Sequence, residues 1–166
     1  MTIEWLRRIY RRDFASLTAQ LDTYPDEESV WKAAPGLANS GGTLAMHLIG
    51  NVRHFIGAQL GGSGYVRDRD AEFGARGVPR AELKKSISAA LREVDSALAT
   101  LDPATLDNPY PLAVAGVTLS TGQFLVHLAG HFGYHLGQLD YHRRVVTGGT
   151  SVAGMQSPKA LADPTV

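Results

Sequence analysis

Four stretches of the chain repeat apolar residues at three- and four-residue steps, and each predicts an amphipathic helix. From about residue 3 to 24, Leu6, Ile9, Phe14, Leu17, Leu21 and Tyr24 share a stripe with Asp13, while Arg7, Arg8, Arg11 and Arg12 lie around the other side. From about 43 to 60, Leu44, His47, Leu48, Val52, Phe55 and Ile56 form the second stripe, with Ser40 or Thr43 placed to cap it. A third helix opens at Pro79 and runs to about 101, turning Leu83, Ile87, Ala90, Leu91, Val94 and Leu98 inward and keeping Lys84, Lys85, Arg92, Glu93 and Asp95 wet. The fourth covers residues 120–146, where Ser120 and Gln123 have the spacing of a capping box. The connections are long. Residues 25–40 hold two prolines and one short turn around 27–32, residues 65–79 read as an irregular lid or interface loop, and residues 102–119 include a brief extended segment at 113–119. Four such helices without a strong strand signal predict an all-α four-helix bundle, one domain over residues 1–147, followed by a loosely held tail at 148–166.

The last stretch, STGQFLVHLAGHFGYHLGQLDYHRRVV, carries four of the six histidines. At about 100° per residue, with His131 set to zero, His127 falls at about −40°, His135 at about +40°, His142 at about +20° and Gln138 at about −20°. Phe124, Leu128, Phe132 and Leu139 overlap this stripe, so the histidines point toward a core. Asp140, Arg144, Gly133 and Gly137 take the other side, which suits solvent or a close-packed neighbour. A buried imidazole must be hydrogen-bonded or bound to something. His131 and His135, at i and i+4, present ring nitrogens that can converge on a metal, and the competing reading is a hydrogen-bonded polar seam. His47 faces the core from the second helix, and His54 shares its face one heptad later.

Composition narrows the partners. Lys plus Arg and Asp plus Glu both number 16, which argues against a basic face for nucleic acid. No apolar run is long enough for a bilayer, and the arginine-rich N-terminal residues do not suit a signal peptide, so a cytoplasmic location is expected. Cysteine is absent, so any thiol chemistry must use a thiol brought from outside.

Two motifs, LAMHLIGN around His47 and HFGYHLGQ from His131, resemble those of the DinB-like (DinB/YfiT) superfamily. The block HLAGHFGYHLGQLDYHRR looks closer still to one of its uncharacterised branches. The resemblance implies an up-down-down-up bundle in which His47, His131 and His135 hold a divalent metal, nickel or zinc, with positions left open for water or substrate. It also implies chemistry with a low-molecular-weight thiol such as bacillithiol or mycothiol as co-substrate, held as thiolate by the metal. One departure stands out: the residue after His135 is Leu136, where several relatives carry arginine.

The resulting expectation is a metal-dependent enzyme of the thiol-S-transferase or hydrolase type acting on a small molecule, with His127, His54 or Tyr134 moving protons and a homodimer as one assembly. A non-catalytic metal or small-ligand binding protein and a stress-response interaction protein are the alternatives. If the second and last helices run antiparallel, His54 falls level with residue 126, and His54 and His127 form a second polar layer beside the metal. A parallel pair puts His54 near His142 instead.

Overall fold

The computed structural model describes residues 2–152 and 156–162. Its helices are α1 (Ile3–Asp22), α2 (Glu27–Trp31), α3 (Gly41–Val52), α4 (Arg69–Gly74), α5 (Arg80–Thr100), α6 (Thr121–Thr147) and α7 (Lys159–Ala162), with no strand among the described residues. The fold is an all-α bundle built on α1, α3, α5 and α6. Helix starts follow the local chemistry. Ser40 accepts from the Thr43 N–H to begin α3, and Ser120 with Gln123 forms the full capping box of α6. Gly148, at φ 67°, supplies the left-handed residue that ends α6.

Side-chain contacts fix the helix directions pairwise. Arg7 forks both oxygens of Asp95 at 3.0 Å, and Lys84 reaches Asp22 at 2.7 Å, so α1 and α5 are antiparallel. Tyr10 and Phe14 set ring edges against Phe132, and Gln20 accepts from Arg143 at 2.7 Å, so α1 and α6 run parallel. Phe55 packs on Phe124 while His47 approaches His131, which makes α3 and α6 antiparallel. Fully buried Phe14, Leu17, Leu48, Ile56, Leu125 and Phe132 fill the space between. This closed core leaves the polar cluster on the α3–α6 seam.

Two connections carry more structure than their composition suggests. Asp68 caps α4 by accepting from the Ala71 N–H, placing a short helix inside the 65–79 segment. Residues 102–119 contain a 3₁₀ turn at Pro103–Thr105 and isolated bridges, Val114 with Val117 and Pro109 with Ser120. Beyond Val52, α3 continues as a π-helical stretch, Arg53–Ala58. The tail is tied to the bundle in its described parts: Arg143 donates to the Thr150 carbonyl, Gln156 to Asp13, and Arg8 to the Leu161 carbonyl. The rest of the expected loose tail, residues 153–155 and 163–166, lies outside the described residues.

Candidate metal centre

His47 lies mid-way along α3, and His131 and His135 stack on successive turns of α6. His47 Nε2 is 3.4 Å from His131 Nε2, and His135 Nε2 is 3.1 Å from the same atom. One nitrogen from each ring lies within 4.8 Å of the others.

The remaining ring nitrogens decide what this cluster can do. His47 Nδ1 faces Glu72 Oε2 at 2.9 Å. An ionised carboxylate only accepts, so Nδ1 carries the hydrogen and Nε2 is left as a lone pair. His135 Nδ1 likewise donates to Gln138 Oε1 at 2.6 Å. Two lone pairs therefore face His131 Nε2. A hydrogen there can satisfy only one of them, whereas a cation satisfies all three rings. Ligand nitrogens held about 2.0–2.1 Å from one ion sit about 2.9–3.4 Å apart, from octahedral to tetrahedral geometry. The observed separations of 3.1 and 3.4 Å fall in that range.

Electrostatics keep the two α6 rings in the ligand form. Burial first, and then the neighbouring His135 and His47, push the His131 imidazolium down to about 4. His135 is lowered by burial, against the hydrogen bond to Gln138. Burial pushes the Glu72 carboxyl up, but hydrogen bonds from Arg67 and His47 outweigh it and hold the group below the usual range. Arg67 grips the carboxylate with two hydrogen bonds, Nε to Oε1 at 2.6 Å and Nη2 to Oε2 at 2.8 Å. Glu72 reaches this place because residue 50 is glycine; a Cβ on Gly50 would run into the Glu72 carboxylate. Phe73, next along α4, packs its ring on His47 with centroids 5.0 Å apart.

A model of the DinB superfamily matches residues 9–139. The chain belongs to the DinB superfamily. No curated protein and no solved structure matches it. The DinB-superfamily assignment and the three-histidine group together fit metal binding.

In this DinB-superfamily chain a cavity of about 410 Å³ opens beside the three histidines. Phe55, Phe73, Phe124, Leu128 and Val114 give it apolar walls, and Asn39, Asn51, Arg67, Arg69 and His127 add polar groups. His127 stacks on Phe124, with ring centroids 5.8 Å apart, and is exposed, not turned into the core. At the edge of the histidine stripe it borders the open face that also carries exposed Val126 and Tyr134. His54 is half-buried and sets its ring against Phe55. Phe55 in turn meets Phe124, so two phenylalanines separate His54 from His127. No hydrogen bond joins those histidines among the described residues, so the expected second polar layer does not form. The π-helical stretch accounts for this: under-winding makes each residue lag its α-helical angle, which carries His54 off the line of His47 and brings Phe55 onto it. Tyr134 is 64% exposed, with its ring 5.1 Å from His135, and is not among the cavity-lining residues. His142 is buried at the other end of the α3–α6 pair. It donates from Nε2 to the Lys32 carbonyl at 2.8 Å and accepts at Nδ1 from the Tyr24 hydroxyl at 2.7 Å.

The sequence reading missed Glu72 and Arg67. Both lie in the connection that showed no apolar period, and the only local signal was Asp68 as a helix cap four residues before the glutamate.

Proposed function

We propose that this chain binds a divalent ion, nickel or zinc, through His47, His131 and His135, and is a metal-dependent enzyme of the thiol-S-transferase or hydrolase type acting on a small molecule. The observation that carries this reading is the approach of His47 Nε2 and His135 Nε2 to His131 Nε2, at 3.4 and 3.1 Å, while the outer two rings spend their Nδ1 hydrogens on Glu72 and Gln138. An ion held there lowers the pKa of a water or thiol that it binds, and so supplies a nucleophile at neutral pH.

The chain's own residues set the conditions for that chemistry. Glu72 and Gln138 orient the outer rings, and the phenylalanines of the cavity exclude water from one side. Arg69 lines the cavity with its guanidinium over the Phe73 ring, and offers positive charge to an anionic substrate or thiol. Leu136, at the position where several relatives carry arginine, is buried in the core and adds no charge to the cavity. His127 is the cavity-facing imidazole best placed to move a proton to or from substrate.

The test begins with metal content, measured by mass spectrometry on protein purified without chelator or a metal-affinity step. About one equivalent of nickel or zinc is expected. Metal-loaded protein is then screened with electrophiles and several thiols; turnover that needs a thiol supports the transferase, and turnover in water alone the hydrolase. Absence of tight nickel or zinc binding on titration overturns the reading.

A further inference from the structure

Two of the three clustered histidines have an Nδ1 partner, and the third does not. His131 Nδ1 is sealed from solvent and makes no hydrogen bond. When His131 Nε2 faces a cation, its hydrogen must sit on Nδ1, and that buried N–H needs an acceptor. Among the described residues only two other buried side-chain atoms lack a partner, Asn51 Oδ1 and the Tyr10 hydroxyl. Asn51 is 6% exposed and Oδ1 is an acceptor. The polarities of His131 Nδ1–H and Asn51 Oδ1 are complementary.

Their positions are complementary as well. Asn51 stands one turn beyond His47 on α3, between His47, which meets His131, and Phe55, which meets Phe124. In the antiparallel α3–α6 pair that places Asn51 level with residues 127 and 128, the turn toward which the His131 side chain leans, and Asn51, Leu128 and His131 line the same cavity. Tyr10 lies in this layer too, edge-on to Phe132 at 6.1 Å.

We infer that Asn51 is the positioning residue for His131: a rotation of its amide lets Oδ1 accept the His131 Nδ1–H, which fixes the tautomer that turns Nε2 toward the ion. The inference rests on the metal reading above. With it, each ligand ring is held by a different partner: His47 by a carboxylate, His135 by the Gln138 amide and His131 by the Asn51 amide. The neutral acceptor suits a buried ring, since a second carboxylate there would bury an additional charge.

The experiment loads the full chain with zinc and follows the imidazole N–H signals by nitrogen–proton NMR, alongside competition titrations against a chromophoric chelator. In the wild-type protein a His131 Nδ1–H signal protected from exchange is expected on zinc binding. Asn51→Leu should lose that signal and weaken zinc binding by about 10–100-fold, while Asn51→Asp, which keeps the acceptor, restores both. Failure of the wild-type chain to bind zinc overturns the metal reading itself. Zinc binding with a rapidly exchanging Nδ1–H, or an Asn51→Leu variant with wild-type affinity, leaves that reading standing and overturns the role of Asn51. If the leucine variant does not fold, Asn51→Ala makes the same test, and retention of the protected signal with wild-type zinc affinity overturns the role of Asn51.

Discussion

His135 and His142 stand two turns apart on one helix and on nearly one face, yet they belong to different chemistry. Both nitrogens of His142 are used: one donates to the Lys32 carbonyl, the other accepts from the Tyr24 hydroxyl, and the ring is 1% exposed. His135 spends one nitrogen on Gln138 and turns the other toward His131, where lone pairs meet. Burial depresses both imidazoliums. What separates the two histidines is therefore the partner of the second nitrogen, which helical phase does not reveal.

The comparison breaks most sharply under alanine. His135→Ala, like His47→Ala or His131→Ala, should reduce zinc or nickel affinity by more than about 100-fold, beyond the effect expected of an outer partner. His142→Ala should leave affinity unchanged; equal losses in a titration would show that the wrong members of the stripe were assigned. Stability should respond in the opposite order. His142→Ala leaves the Tyr24 hydroxyl and the Lys32 carbonyl without partners and opens a cavity, costing about 2–4 kcal/mol in denaturant unfolding. His135→Ala in the metal-free protein should cost less than about 1 kcal/mol, because its ring is only partly buried. Glu72→Gln sharpens the same contrast. It should weaken metal binding by about 10–100-fold, and Gly50→Ala should do so in parallel by displacing the carboxylate, with no effect on the His142 end.

The smallest effect is one of pH. His142 has a folded-state pKa below its unfolded value of about 6.5, so the neutral ring favours the fold. Its stabilisation is complete above that unfolded value and is lost as pH falls through it toward the folded one. Wild-type unfolding free energy should therefore decline from pH 7 to pH 5, and His142→Gln should flatten the part of that slope due to this ring. His131, pushed to about 4 by burial and its neighbours, acts with the same sign in the metal-free protein. Metal affinity should also fall as pH drops through the lowered values of His135 and His131, the latter about 4, since the ring nitrogens must be free of protons to bind.

Much of this arrangement was legible in the residues. The stripe of Phe124, Leu128, Phe132 and Leu139 named the buried face of α6, and the i, i+4 histidines named the pair that meets His47. Ser120 and Gln123 announced the start of the helix. The uniform wheel failed where the backbone left α-helical geometry, so His54 was turned toward a partner that it does not reach. It also carried no information about which stripe edge borders solvent, and His127 was placed inward on that account. Glu72 escaped because its contact with His47 is tertiary: periodicity within a segment says nothing about which surface a six-residue helix docks on.

The two helices of the cluster are far apart in the chain. His47 and His131 are separated by 84 positions, so an ion shared between them is a reversible cross-link that closes a long loop. Loop-closure entropy for that length is about 4 kcal/mol, from one and a half RT times the logarithm of the loop length. A metal held by the three histidines would therefore cost the unfolded chain this closure and the folded chain none of it, as a clasp that opens with a chelator or with acid. The order of synthesis follows from the same separation: Arg67 and Glu72 can set His47 early, but the clasp cannot close until α6 has been made.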